Sequence, residues 1–220
     1  MDELDTILAK TFDLDTEVYH RRGFKRRVGY GAKPALLVID MANGWTQPGS
    51  PFACDGMNSV IPAIRELLDV FRDKKLPVVF TSTAYDVTEG PNTDMGLWHL
   101  KVPIETMKTG SWEAEIDSRL QPADGEFVLI KKRASAFHGT HLSSMLKAMG
   151  VDTVIATGVT ASCCVRHSVE DAIAEGFRPI VPRECVGDRV AGVVAWNLFD
   201  IDAKFGDVEP LADVLAQIKA

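Results

Sequence analysis

The chain has 220 residues, a formal net charge of −7 and 46% hydrophobic residues. That size suits one compact α/β domain with a substantial core, and the acidic balance argues against a nucleic-acid partner, whose phosphates need clustered Lys and Arg. No apolar run reaches the ~18 residues of a membrane span, and the acidic, amphipathic start MDELDTILAK does not read as a secretory signal. Four cysteines without a C-x-x-C pair make no disulfide framework, so a reducing cytoplasm is the expected compartment.

In chain order, residues 1–33 read as an N-terminal helix, roughly 2–21, followed by a polar connecting arm. Leu4, Ile7, Leu8 and Phe12 recur at near-helical spacing, which gives the helix an apolar face for the body or another subunit. The arm carries the basic run HRRGFKRR, residues 20–27, read as a solvated face or a subunit contact. Residues 34–220 form the body. Apolar runs at 34–40, 77–82, 127–131, 151–157 and 178–182 are expected strands, and 59–74, 141–149, 164–175, 191–204 and 211–218 are expected helices. Residues 83–110 hold Gly and Pro and form a long loop, of the kind that is usually functional. Alternating strands and helices imply a three-layer α-β-α domain with a mostly parallel central sheet.

Such sheets place their sites beyond the C-terminal strand ends. Asp40, Lys131 and the adjacent Cys163 and Cys164 all fall at such ends. A thiol where a helix begins feels the positive end of the helix dipole, which favours thiolate and nucleophilic chemistry. The competing reading is two small buried residues, since free cysteine is often buried. Asp40 alone reads equally as a cap and Lys131 as a solvated strand end, as Lys132 does. No G-x-G-x-x-G follows the first strand and no G-x-x-x-x-G-K-[ST] occurs, so dinucleotide and P-loop readings lack support.

Three motifs in order resemble the isochorismatase-like cysteine hydrolases: LLVIDMANGW around Asp40, KKRASAF from Lys131, and GVTASCCVR ending just past Cys164. Longer stretches, among them RGFKRRVGYG, TDMGLWHLKVP and GDRVAGVVAWNLFDIDAKFGDVE, place the resemblance among the amidohydrolases of that family. The resemblance implies a Rossmann-like fold and a triad of Asp40, Lys131 and Cys164. Cys164 would attack a carbamoyl or amide carbonyl, Asp40 would take the thiol proton and pass it to departing ammonia, and Lys131 would favour thiolate and fix the aspartate. Free carboxylate and thiol pKa values lie about 4–5 units apart, so the transfer needs a raised aspartate or a lowered thiol.

The resemblance further implies an oxyanion hole from the backbone N–H groups of Thr160 and Cys164, and a cis peptide between Val159 and Thr160. Cys163 stands where a small residue such as Gly is expected, as a bystander that could make the site easier to oxidise. Arg189 resembles the residue that clamps a substrate carboxylate, against the alternative of an ion pair with Asp188 or Glu184. Asn43, Trp98 and Phe137 are further pocket candidates, although Trp98 suits core or interface equally.

The nicotinamidase-type Asp-x-His is absent after the second strand, and His138, His141 and His167 show no ligand spacing, so neither metal nor cofactor is expected. The implied reaction converts N-carbamoylsarcosine to sarcosine, carbon dioxide and ammonia. Maleamate, biuret and other N-carbamoyl amino acids are the alternative substrates, and a non-catalytic scaffold is the alternative class. Relatives are homo-oligomers, often tetramers, so the expected partners are a small carboxylated amide and further copies of the chain, with no membrane.

Overall fold

A computed structural model describes residues 3–220; Asp2, the predicted first helical residue, lies outside them. The first helix, α1 (Glu3–Arg21), precedes strand β1 (Pro34–Ile39), a short helix α2 (Asn43–Thr46) and helix α3 (Met57–Asp73). Strand β2 (Val78–Thr83) leads into the long loop, which holds four short 3-10 turns and no longer helix or strand, and then β3 (Phe127–Lys131). Helix α4 (Leu142–Ala148), β4 (Thr153–Val159) and a π-helical turn (Ala161–Val165) follow. The chain closes with α5 (Arg166–Ala174), β5 (Arg178–Pro182), β6 (Val186–Gly187), α6 (Ala191–Lys204), β7 (Asp207–Glu209) and α7 (Leu211–Lys219).

The seven strands form one sheet in the order β3-β2-β1-β4-β5-β7, with β6 paired to β4, and all these pairings are parallel. Strand side chains alternate between faces. Leu36 and Val38 of β1 therefore join a core with Ile64, Leu67, Leu68 and Phe71 of α3 and Val214 of α7. Ala35, Leu37 and Ile39 join a second core with Leu142 and Leu146 of α4, Val169 of α5 and Ile201 of α6. These two cores, one on each face of the sheet, are the predicted three layers. Strands β6 and β7, of two and three residues, are too short to carry a hydrophobic pattern, which is why only five strands were expected.

Helix α1 packs through Phe12, whose ring stacks on Phe199 of α6 at 4.6 Å. Part of the basic run differs from its expected role. Lys25 pairs with Asp202 at 2.6 Å, and Arg27 reaches Asp202, Asp207 and Glu209. Asp207 also accepts the backbone N–H groups of Val28 and Gly29, at 3.0 and 2.8 Å. The arm is thus fastened to the C-terminal part of its own chain, through acids too distant in sequence to be matched by inspection.

Candidate active site

The site begins at the ends of β1 and β4, the two central strands, which run in register up to the Ile39–Gly158 pair. Asp40 follows Ile39 directly with φ +50° and is fully buried. Its Oδ1 accepts from Thr81 Oγ1 at 2.9 Å and its Oδ2 from Thr83 Oγ1 at 3.2 Å. Its backbone N–H donates to the Thr81 carbonyl at 3.1 Å. Thr81 and Thr83 lie two apart on β2, so they share one face and meet the same carboxylate.

Lys131, the last residue of β3, is 1% exposed, and its Nζ lies 2.7 Å from Asp40 Oδ2. It also donates to Thr83 Oγ1 at 2.8 Å, the Arg133 carbonyl at 3.0 Å and Cys164 Sγ at 3.5 Å. Burial alone lowers a lysine pKa, but here the Asp40 carboxylate and the Cys164 sulfur outweigh it and raise the pKa above the ordinary value. A buried charge survives only when paired in this way. The sequence placed all three residues at strand ends, and the structure brings them into one buried cluster.

The π-helical turn carries Cys164 into this cluster. The Val159–Thr160 peptide is cis, as the resemblance implied. The Thr160 carbonyl accepts from Cys163 N–H at 3.0 Å and Val165 N–H at 3.1 Å. One turn on, Ser168 Oγ donates to the Cys164 carbonyl at 2.6 Å and accepts Ala136 N–H at 2.9 Å, which ties the turn to the segment after Lys131. Among the described residues the buried Thr160 hydroxyl has no hydrogen-bond partner.

Lys131 pulls the Cys164 pKa down as expected, but the net shift is upward. The hydrogen bond with the Cys163 thiol and complete burial push Cys164 well above an ordinary thiol, and Asp40 adds to them against Lys131. The same hydrogen bond and His167 lower Cys163 to about 5, although burial opposes them. His167 in turn rises to about 9, chiefly through its contact with Cys163. Cys164 is thus the less acidic of the two thiols, and the His167 ring, whose Nδ1 lies 2.7 Å from the Cys163 carbonyl, stands beside the more acidic one. Cys163 is a partner of the nucleophile position, and its four-residue spacing to His167 is the signal that sequence reading passed over.

Arg189 follows β6, whose Gly187 pairs with Val159. Its side chain is 40% exposed, with one Nη donating to the Phe52 carbonyl at 3.3 Å and the other 3.7 Å from Asp188 Oδ1. Glu184, the other suggested partner, accepts the Leu211 N–H instead. The three remaining candidates make the following contacts. Asn43 is buried and donates its side-chain amide to the Trp112 carbonyl at 3.0 Å. Trp98 packs half-buried against the α3-side core, and Phe137 packs against Phe177 at 5.8 Å. Among the described residues none of these three hydrogen-bonds to Asp40, Lys131 or Cys164, and no group of three His, Cys, Asp or Glu could hold a metal.

The geometry has known counterparts. Residues 34–213 match the family model of the isochorismatase domain. The chain is 53% identical to an N-carbamoylsarcosine amidase of an Arthrobacter species, over 99% of this chain and 83% of that protein. It is 42% identical to the maleamate amidohydrolase of Pseudomonas putida, over 88% of this chain and 91% of that one. Among solved structures, the N-carbamoylsarcosine amidase of Thermoplasma acidophilum superposes with TM-score 0.68 at 28% identity, covering 82% of this chain and 97% of that one. An isochorismatase family protein from Desulfovibrio vulgaris gives TM-score 0.75 at 31% identity, covering 84% and 100%. A buried Asp–Lys–Cys cluster at the edge of a parallel sheet, a domain match over most of the chain and these relatives lead to one conclusion: the chain belongs to the isochorismatase family and is an amidohydrolase of non-peptide C–N bonds.

Proposed function

We propose that the chain hydrolyses N-carbamoylsarcosine to sarcosine, carbon dioxide and ammonia. The observation that carries this is Lys131 Nζ standing between Asp40 at 2.7 Å and Cys164 at 3.5 Å in a buried site. In this reading the thiol of Cys164, protonated at rest, gives its proton to Asp40 as sulfur attacks the ureido carbonyl. Lys131 stabilises the developing thiolate. The tetrahedral oxyanion rests on the backbone N–H groups of Thr160 and Cys164. Its collapse expels ammonia, which takes the proton from Asp40. Water then cleaves the S-carbamoyl intermediate with Asp40 as base, and the released carbamic acid loses carbon dioxide to leave sarcosine.

Arg189 reads the substrate carboxylate with the N–H groups that Phe52 does not occupy, and the Thr160 hydroxyl is a further substrate contact. The relative named for N-carbamoylsarcosine supports the choice of substrate. The relative named for maleamate supports a second reading, since maleamate also joins a primary amide to a carboxylate. A panel measuring ammonia release from N-carbamoylsarcosine, maleamate and biuret separates them. The first should be fastest, Cys164→Ser should abolish turnover, and near-normal release by that variant would end the proposal. The four free cysteines suit a cytoplasmic enzyme. The exposed Ile7 and Leu14 of α1 suit a contact face of a homotetramer, checked by light scattering.

A further inference from the structure

We propose that Asp188 is a positioning residue that fixes the distance between the carboxylate clamp and the nucleophile turn. Asp188 is 5% exposed and stands just past the β4–β6 pairing, next to the turn that carries Cys164. Its Oδ2 accepts both Ser162 N–H at 3.0 Å and Ser162 Oγ at 2.7 Å. Its Oδ1 accepts Arg189 N–H at 2.8 Å and lies 3.7 Å from the guanidinium. One carboxylate thus grips the turn with one oxygen and the clamp with the other.

The chemistry calls for an acid here. Three donors and a cation converge on one small side chain, and only an ionised carboxylate offers two acceptor oxygens with no competing N–H. An asparagine satisfies one side and turns its NH₂ against the other. The anchor extends further, because the Asp188 carbonyl accepts Asp55 N–H at 3.2 Å, in the segment whose Phe52 carbonyl holds Arg189. Arg189 is held between Asp188 and Phe52, and its side chain stays 40% exposed, with N–H groups left for a substrate carboxylate. A substrate whose carbonyl and carboxylate match the fixed spacing is attacked, and one of different span is misplaced.

This rests on Arg189 and Cys164 acting as proposed above, so the test has one arm with substrate and one without. In the first, Asp188→Asn should lower kcat/KM for N-carbamoylsarcosine about 10- to 100-fold, with a raised KM. Biuret, which has no carboxylate, should lose only the smaller share that passes through the turn. Ser162→Ala should lower kcat on both without changing their ratio. A merely structural role would cut both substrates by one factor in Asp188→Asn.

In the second arm, Cys164 is alkylated in a Cys163→Ala background with iodoacetate and iodoacetamide, which differ by one carboxylate. Asp188→Asn should bring their rate ratio down to that of a free cysteine. An unchanged ratio and unchanged rates in a folded variant would overturn the proposal. If Asp188→Asn does not fold, Ser162→Ala decides, and an unaltered iodoacetamide rate there is equally fatal. Should the unmodified chain hydrolyse none of the panel while the ratio still falls, the substrate reading fails and the role of Asp188 stands. Should it hydrolyse N-carbamoylsarcosine and Asp188→Asn match it, the reverse holds.

Discussion

A Cβ atom on Gly158 would stand 2.0 Å from the carbonyl oxygen of Ile39. The two residues are register partners in β4 and β1, each one or two positions from a site residue, and Gly158 has φ +108°. Gly158→Ala must therefore push the base strand and the nucleophile strand apart. We expect a loss of about 3–5 kcal/mol and of activity. Gly125→Ala, at φ +87° in open space, should cost only about 1–2 kcal/mol and leave activity intact. Urea unfolding of the pair separates the clash from the backbone conformation.

Thr83 Oγ1 both donates to Asp40 and accepts from Lys131. Thr83→Val keeps the shape and leaves each charged partner one hydrogen bond short. Turnover should fall about 10- to 100-fold and stability by about 1–3 kcal/mol, with Thr83→Ser restoring most of both. Equal turnover in Val and Ser variants would show that the hydroxyl is irrelevant.

Cys163 and His167 should titrate as a linked pair. With Cys163 lowered to about 5, its alkylation, followed by fragment mass spectrometry, should be half-maximal near that pH, and His167→Gln should move the midpoint upward. His167 is raised to about 9 chiefly by Cys163, so the stability it contributes, with Cys163 ionised above about 5, is held up to its ordinary value near 6.5 and is lost as pH rises through 9. The Tm gap between the unmodified chain and His167→Gln should accordingly narrow across that window.

Asp117 is fully buried and bonds Arg119, Thr46 and Gln47. Burial raises its pKa, but these partners win and bring it to about 2. A depressed carboxylate stabilises above its ordinary pKa, and the effect vanishes as pH falls through the folded value. Asp117→Asn should lose roughly 2 kcal/mol at pH 7 and little near pH 2, read from urea midpoints at both.

The elements that carry the chemistry were legible because burial leaves a pattern. The apolar runs before Asp40 and Cys164 are strands packed on both faces, the run before Lys131 is an edge strand that leaves Phe127, Val128 and Ile130 exposed, and all three end where chemistry can begin. What escaped was the polar shell. Thr81, Thr83, Ser168 and Asp188 act through side-chain hydrogen bonds to residues that are distant in sequence or look ordinary in it. The pull of Lys131 on the thiol is present but outweighed, for a related reason. Charge is visible in a sequence, whereas the complete burial and Cys163 contact that oppose it exist only once the chain is folded.

The β1–β4 register has one more consequence. The strand ends that carry Asp40 and the Cys164 turn are aligned by a ladder of backbone hydrogen bonds at the centre of the sheet, whereas Arg189 and the residues from 43 to 58 and 84 to 112 hang from its rim. Reaction and recognition therefore rest on different parts of the fold, joined through Asp188. Loops grafted at the rim should change which amide is taken while the Asp40–Lys131–Cys164 cluster stays in place, provided Asp188 and Ser162 are kept, which makes the rim the place to begin redirecting the enzyme to a new substrate.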